Sequence, residues 1–148
     1  SQPNAIASGT SVTPAQCGCS RVVTITDRET LTLAGLELTV LHAPGHTEGS
    51  VMFTLPQVPE GIPHGPAAAA VTATCVSGDV LFAGSIGRCD LPGGSWEQMQ
   101  ASLAREVLPL PDDTVVHCGH GPSTTIGRER ATNPYLQDLP AQPAARGM

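Results

Sequence analysis

Three glycine-containing corners constrain this chain more than any other feature: Pro44-Gly45-His46-Thr47, Ser77-Gly78-Asp79 and Cys118-Gly119-His120-Gly121. Each follows a run that reads as strand, LELTVLHA before the first, TATCV before the second and TVVH before the third. Glycine lets the backbone turn sharply, so the next side chain is expected at the rim of a sheet rather than in its core. Two imidazoles and a carboxylate presented in this way are ligands suited to Zn²⁺, Fe²⁺ or Mn²⁺. Taken singly, each motif has an ordinary reading: a histidine at a strand end is usually a hydrogen-bonded surface group, and Gly-Asp is a common turn. Spacing alone leaves both readings open.

The remaining pattern supplies the layers. VVTIT from Val22 and LTL from Leu31 read as strands, with Ala34-Gly35 as a turn into LELTVLHA. That run alternates, with Leu36, Leu38 and Val40 on one face and Glu37 and Thr39 on the other. VMFTL resumes as strand after the first corner. Residues 56–70 hold four prolines and cannot sit inside a sheet, so they are expected as a surface loop within a hairpin. After the second corner comes a second short apolar strand.

Ser95 to Leu108 is the clearest helix. Ser95 stands three residues before Gln98 in a capping-box arrangement, and Met99, Leu103, Val107 and Leu108 recur at helical spacing. Pro109 and Pro111 stop it, and a last helical stretch near Ile126–Ala131 ends before Asn133-Pro134. Strands and helices in this order imply an α/β, layered α+β, architecture with helices on the outer face of a sheet.

Composition narrows the function classes. The 148 residues are 40% hydrophobic, enough for one domain with a core. The net charge is −6 and all seven basic residues are scattered arginines, which argues against a nucleic-acid footprint. No apolar run approaches a membrane span, and the opening residues lack the apolar core of a signal peptide. The five cysteines, Cys17, Cys19, Cys75, Cys89 and Cys118, form no paired C-x-x-C knuckle. They read as free thiols of a reducing compartment, which predicts a cytoplasmic protein. His42 and His117 read as strand residues and His64 as a solvated residue of the Pro-rich loop.

In this order, PGHTEGS, SGDVLFAGSIGRCDLPGG and VHCGHGPSTTIGRERATNPYL resemble the later motifs of the metallo-β-lactamase superfamily, and more closely its glyoxalase II (hydroxyacylglutathione hydrolase) type. The resemblance runs from Leu31 to Leu136. It implies the C-terminal half of an αββα sandwich over residues 31–136, preceded by an irregular linker region (1–30) and followed by a disordered tail (137–148). It implies a thioester hydrolase, acting on a substrate such as an acylglutathione with a metal-bound hydroxide.

In that family the dinuclear site uses an early H-x-H-x-D-H motif, then a His, a bridging Asp and a final His. By position these last three are His46, Asp79 and His120, with Asp79 also the catalytic residue that steers the hydroxide. The expected cofactor is a pair of divalent metals, zinc first, with iron or manganese as alternatives. Arg88 is the candidate for substrate binding, with a surface salt bridge as its ordinary reading. Asp90 and Thr125 are candidates for orienting metal-bound histidines, and Cys89 is a packing variant.

No H-x-H-x-D-H occurs in these residues. The chain is therefore expected to carry the second half of a longer protein and to be inactive alone. The open sheet face with Leu36, Leu38 and Val40 is a candidate homodimer surface. Two alternatives remain: a persulfide dioxygenase-like enzyme with one iron, sharing the GRxD and ER..NP segments, and a non-catalytic, degenerate half-domain.

Overall fold

The structure is a computed structural model that describes residues 24–59, 71–137 and 139. Four strands come first: β1 (Thr30–Leu33), β2 (Leu36–His42), β3 (Val51–Leu55) and β4 (Ala73–Gly78). They form an antiparallel meander, each strand beside its predecessor. Two short strands, β5 (Leu81–Phe82) and β6 (Ser85–Ile86), pair as a separate ribbon. The helix α1 (Trp96–Ser102) continues into a π-helical turn (Leu103–Val107). Then come β7 (Thr114–Cys118), β8 (Thr124–Thr125), α2 (Ile126–Thr132) and α3 (Pro134–Gln137).

The main sheet has the order β1-β2-β3-β4-β7-β8, and its one parallel pair is β4 with β7. Two reversals of direction separate β2 from β4, so β2, β4 and β7 all run the same way and end at the same rim. Those ends are the three glycine corners.

Alternation explains which face is covered. Leu41 pairs with Met52 across β2 and β3, and Cys75 pairs with Thr54 and Val116. Met99, Leu103, Val107, Ile126 and Leu136 from the helices close over Leu41, Met52, Cys75 and Val116 as one buried cluster. Complete burial pushes the Cys75 thiol up to about 12, so it stays protonated and inert at neutral pH.

The opposite face carries Leu36, Leu38, Val40, Phe53 and Val76. Leu36 and Leu38 are half-buried, as their alternation predicts for an open face, but Val40 is completely buried and belongs to no exposed patch. The large exposed apolar side chains among the strands are Leu33 and Val76.

The helix starts where its sequence predicts: the Ser95 hydroxyl accepts from the Gln98 N–H at 3.2 Å. The return arm of the capping box is replaced, because the Ser95 N–H donates instead to the Gly45 carbonyl at 2.8 Å. The cap thereby ties the helix start to the first corner. The turn at Leu103–Val107 widens to the π form, with Leu108 N–H reaching Leu103 O at 3.0 Å.

The strand expected over VVTIT differs from the structure. Val22 and Val23 lie outside the described residues, and Thr24 and Ile25 are not in a strand. The Glu29 carboxylate accepts from the Thr26 N–H at 2.8 Å, and Arg28 adopts φ 66°, so residues 26–29 fold into a turn. A side chain bonding the backbone locally competes with a sheet ladder, and here it wins. Arg28 then reaches the buried Glu106, with Nη2 2.7 Å from Oε2 in an ion pair that is off the hydrogen-bond direction. The Arg105 guanidinium holds the other oxygen at 3.0 Å.

The Pro-rich segment joins two antiparallel strands, as expected of a hairpin, but residues 60–70, including His64, lie outside the described residues. So do Cys17 and Cys19, most of the expected linker region and most of the expected tail.

At the β1–β2 turn both Ala34 (φ 51°) and Gly35 (φ 77°) are left-handed, the geometry of a type I′ hairpin. An alanine costs about 1 kcal/mol there, whereas Asn-Gly is the preferred pair. Ala34→Asn should therefore raise stability by roughly 0.5–1 kcal/mol, read as a higher urea midpoint at unchanged m-value.

Candidate metal centre

Asp79 stands where β4 gives way to a turn. The β4–β7 register slips by one residue between Val76 and Gly78, so β4 carries an extra residue, Ser77. A bulge of this kind bends the strand and re-aims the side chains that follow. Ser77 is completely buried, and its hydroxyl donates to the Leu81 carbonyl at 2.8 Å. The turn is closed by Val80 N–H on Ser77 O at 3.0 Å, which leaves the Asp79 carboxylate facing outward.

His120 arrives on the neighbouring strand. Gly119 N–H donates to Gly78 O at 2.8 Å and carries the ladder past the last paired residues. A β-carbon on Gly119 would lie 2.7 Å from Asp79 Oδ1, so a side chain there would push the carboxylate out of the position it holds beside His120. His120 Nδ1 lies 3.0 Å from Asp79 Oδ1, while its ring stands tilted against Phe82 with centroids 6.4 Å apart.

His46 comes from the third corner. Its Nδ1 is 2.8 Å from the Arg88 carbonyl, which can only accept, so Nδ1 carries the proton. The Nε2 lone pair is thereby turned towards Asp79, with Oδ2 at 3.4 Å. Fixing the far nitrogen of an imidazole on a carbonyl is the usual way a ligating histidine is oriented. The carboxylate thus faces a different imidazole with each of its oxygens. A small cleft of about 280 Å³ joins His46, Asp79 and His120 with Phe82, Gly87 and Arg88.

The donors fit a divalent metal by type, and one of them is already set in tautomer. They do not enclose one. His120 is 81% exposed in its side chain, and among the described residues no group of three or more His, Cys, Asp or Glu is placed to hold a metal ion.

The other expected residues have other partners. Arg88 is bonded through Nε and Nη2 to the two oxygens of Asp90, both at 2.8 Å. Asp90 thus holds an arginine rather than a histidine. Thr125 caps α2 by accepting from Arg128 N–H at 3.2 Å, and does not orient a histidine either. Orientation of His46 falls to a backbone carbonyl, which no side-chain motif reveals. His42 bonds the Glu48 carbonyl and His117 the Ser123 hydroxyl, each at 2.8 Å, as strand residues would. Cys89 is half-buried, and burial followed by the Asp90 charge pushes its thiol up.

The ending GRERATNPYL is explained by a buried polar knot. Glu129 is 1% exposed, and its carboxylate accepts from Thr124 Oγ1 at 2.6 Å, Gly84 N–H at 2.8 Å and Asn133 Nδ2 at 2.9 Å. Asn133 also donates to Ser85 O at 3.1 Å and accepts from Tyr135 N–H at 2.9 Å. The knot fixes the β5–β6 ribbon, which leads into Gly87 and Arg88, against the C-terminal helices.

Comparison with known proteins adds an independent line. No family model matches the chain. It is 42% identical over 108 residues to the hydroxyacylglutathione hydrolase GloC of Haemophilus influenzae, covering 73% of this chain and 44% of that protein. Among solved structures it resembles the B3 metallo-β-lactamase BLEG-1 (41% identity, TM-score 0.61, 76% of this chain and 47% of that one). TTHA1623, solved in a di-iron-bound form, gives 44% identity and a TM-score of 0.57, with 78% and 50% covered. ETHE1 of Myxococcus xanthus gives 28% and 0.63, with 76% and 44% covered. The chain spans about half the length of the curated relatives it matches.

Two outcomes are expected. Glu129→Gln keeps shape but replaces acceptors with a donor amide, leaving buried N–H and O–H groups unpaired. It should cost about 2–4 kcal/mol in chemical denaturation. The Arg88 guanidinium holds Asp90 down to about 2, so the carboxylate should stay ionised until the pH falls towards 2. Arg88→Ala should return its NMR titration midpoint towards 3.8. The lowered pKa means that any stabilisation by this pair is present above the ordinary carboxylate range and lost on acidification. The pair is fully exposed, so that share is small.

Proposed function

The chain belongs to the metallo-β-lactamase superfamily, as the C-terminal half of that fold, and we propose that it contributes His46, Asp79 and His120 to the metal centre of a thioester hydrolase of glyoxalase II type. One observation carries this reading: both oxygens of a single rim carboxylate address different imidazoles, at 3.4 and 3.0 Å. That is the arrangement a bridging ligand needs. The hydroxyacylglutathione hydrolase among its relatives supports thioesters as substrates.

In this reading the three side chains hold divalent metal, zinc first and two ions per complete site, with the remaining ligands supplied by a preceding half of the whole protein. When bound, the metal supplies Lewis acidity, polarising a carbonyl and lowering the pKa of water towards ~7. The chain's own residues do the positioning. His46 is held in one tautomer by the Arg88 carbonyl, and Asp79 offers an acceptor that orients an attacking water. Arg88 meets an anionic group of the thiol carrier through Nη1, the nitrogen that its bond to Asp90 leaves over. The setting is a reducing one, cytoplasmic, in keeping with the free thiols of Cys75, Cys89 and Cys118.

A second reading, persulfide dioxygenase chemistry on one iron, is favoured by the likeness to ETHE1. Metal counting separates the two. Two metals per chain in the protein joined to its H-x-H-x-D-H half, with hydrolysis of S-lactoylglutathione, supports the thioester reading. One iron, with sulfite formed from a persulfide, supports the second.

Within the first reading, Asp79→Asn and His46→Ala should each lower kcat/KM by at least ~100-fold and reduce bound metal. Full hydrolysis by metal-depleted protein would sink the proposal. The 148-residue chain alone should show weak metal binding and little hydrolysis.

A further inference from the structure

Glycine at the first corner creates a difficulty as well as an opening. Gly45 adopts φ 149°, a conformation that side-chain-bearing residues rarely take, and this carries His46 out to the rim. The same freedom would let His46 swing about the Gly45 backbone unless the peptide groups around it are held. The imidazole has its own anchor, Nδ1 on the Arg88 carbonyl at 2.8 Å, but that bond forms only if the backbone delivers the ring to it.

Both peptide groups that flank Gly45 are held by one helix. The Gly45 carbonyl accepts from the Ser95 N–H at 2.8 Å, and the Pro44 carbonyl accepts from the Ser102 hydroxyl at 2.6 Å. Between these two bonds the helix backbone comes so close that a β-carbon on Gly45 would lie 2.5 Å from Met99 Cα. Ser95, Met99 and Ser102 stand at i, i+4 and i+7, one stripe of α1 and its cap laid along the corner.

Ser102 is the member of this stripe that sequence reasoning passes over. It is completely buried, as are Met99 and Leu103. A buried hydroxyl is costly unless it is bonded, and a serine within a helix can turn its hydroxyl back to the carbonyl four residues earlier. Here its one proton leaves the helix for a carbonyl 58 positions away. Alanine would suit both the helix and the core better, so what a serine supplies at this place is the bond.

We propose that Ser102 is a positioning residue of the metal centre: through the Pro44 carbonyl it fixes the direction in which His46 presents Nε2. The inference rests on the reading of His46 as a metal ligand for its consequence, and on the contact between helix and corner for the positioning itself. Ser102 acts through the backbone and is not a catalytic residue.

The test uses the whole protein, this chain joined to its H-x-H-x-D-H half, with ¹⁵N-labelled histidine. In the metal-free protein, long-range ¹H–¹⁵N correlations should show His46 as the Nδ1–H tautomer set by the Arg88 carbonyl, and Ser102→Ala should turn it into a mixture of both tautomers. Chelator competition should show zinc held about 10-fold less tightly by Ser102→Ala. Its kcat for S-lactoylglutathione should fall by a similar factor with KM unchanged. Ser102→Thr, which keeps the hydroxyl, should restore the tautomer and most of the zinc affinity. Val107→Ala opens a cavity at a buried position away from the corner; it controls for lost stability and should change neither readout. Wild-type tautomer and zinc affinity in Ser102→Ala, or equal losses in Val107→Ala, overturns the proposal. His46→Ala tests the ligand reading separately. If that variant binds zinc as tightly as the wild type, His46 is no ligand, and the His46 tautomer in Ser102→Ala alone decides whether Ser102 positions it.

Discussion

The parallel contact between β4 and β7 is the constraint on which the rest of the molecule depends. Strands on either side of it could be joined by tight turns, but a parallel pair cannot. The chain must leave the sheet after Gly78, cross through the β5–β6 ribbon and α1, and return at Thr114. That excursion supplies the helix that closes the core. It also brings two strand ends, Gly78 and Cys118, to the same rim, so that Asp79 and His120 are neighbours in space while 41 residues apart in sequence. The bulge at Ser77 then turns what would be another strand residue into an outward-facing carboxylate.

A polar network holds this arrangement where apolar packing could not. Glu129 and Asn133 are buried among strand ends and loop backbone, and between them they satisfy donors from Thr124, Gly84 and Tyr135 and an acceptor on Ser85. Hydrogen bonds are directional in a way that Leu and Val contacts are not. A loop that must present one carbonyl, that of Arg88, to one imidazole nitrogen benefits from being anchored by them. The backbone around Gly87–Arg88 has two consequences at once: it orients His46 on one side and, with Trp96 and Tyr135, lines a concavity of about 500 Å³ on the other.

Much of this was legible in the sequence, for reasons that can be named. The helix over Trp96–Val107 is visible because its cap, its apolar period and the following prolines agree. The meander is visible because β-branched and leucine alternation ends at glycine corners. The grouping of His46, Asp79 and His120 is legible only at the level of three corners sharing one role, and the structure supplies the common rim. What is not legible depends on long-range geometry or on backbone atoms. The bulge needs the register of a partner strand about forty positions away. The partner of His46 is a carbonyl, and every residue has one. Arg88 and Asp90, two apart in sequence, could not be recognised as each other's partners without the turn between them. Residues 22–26 look like strand by composition, yet Glu29 bonds the Thr26 backbone and turns the chain at residues 26–29.

The order of strands in the sheet also separates local from non-local contacts. β1 to β4 join neighbour to neighbour, so their contacts close short or moderate loops at modest entropic cost. β7 must find β4 across the whole intervening crossover, a non-local pairing of the kind that slows folding. The same non-local pairing brings His120 to Asp79, so the contact of largest sequence separation in the sheet and the assembly of the site are one event.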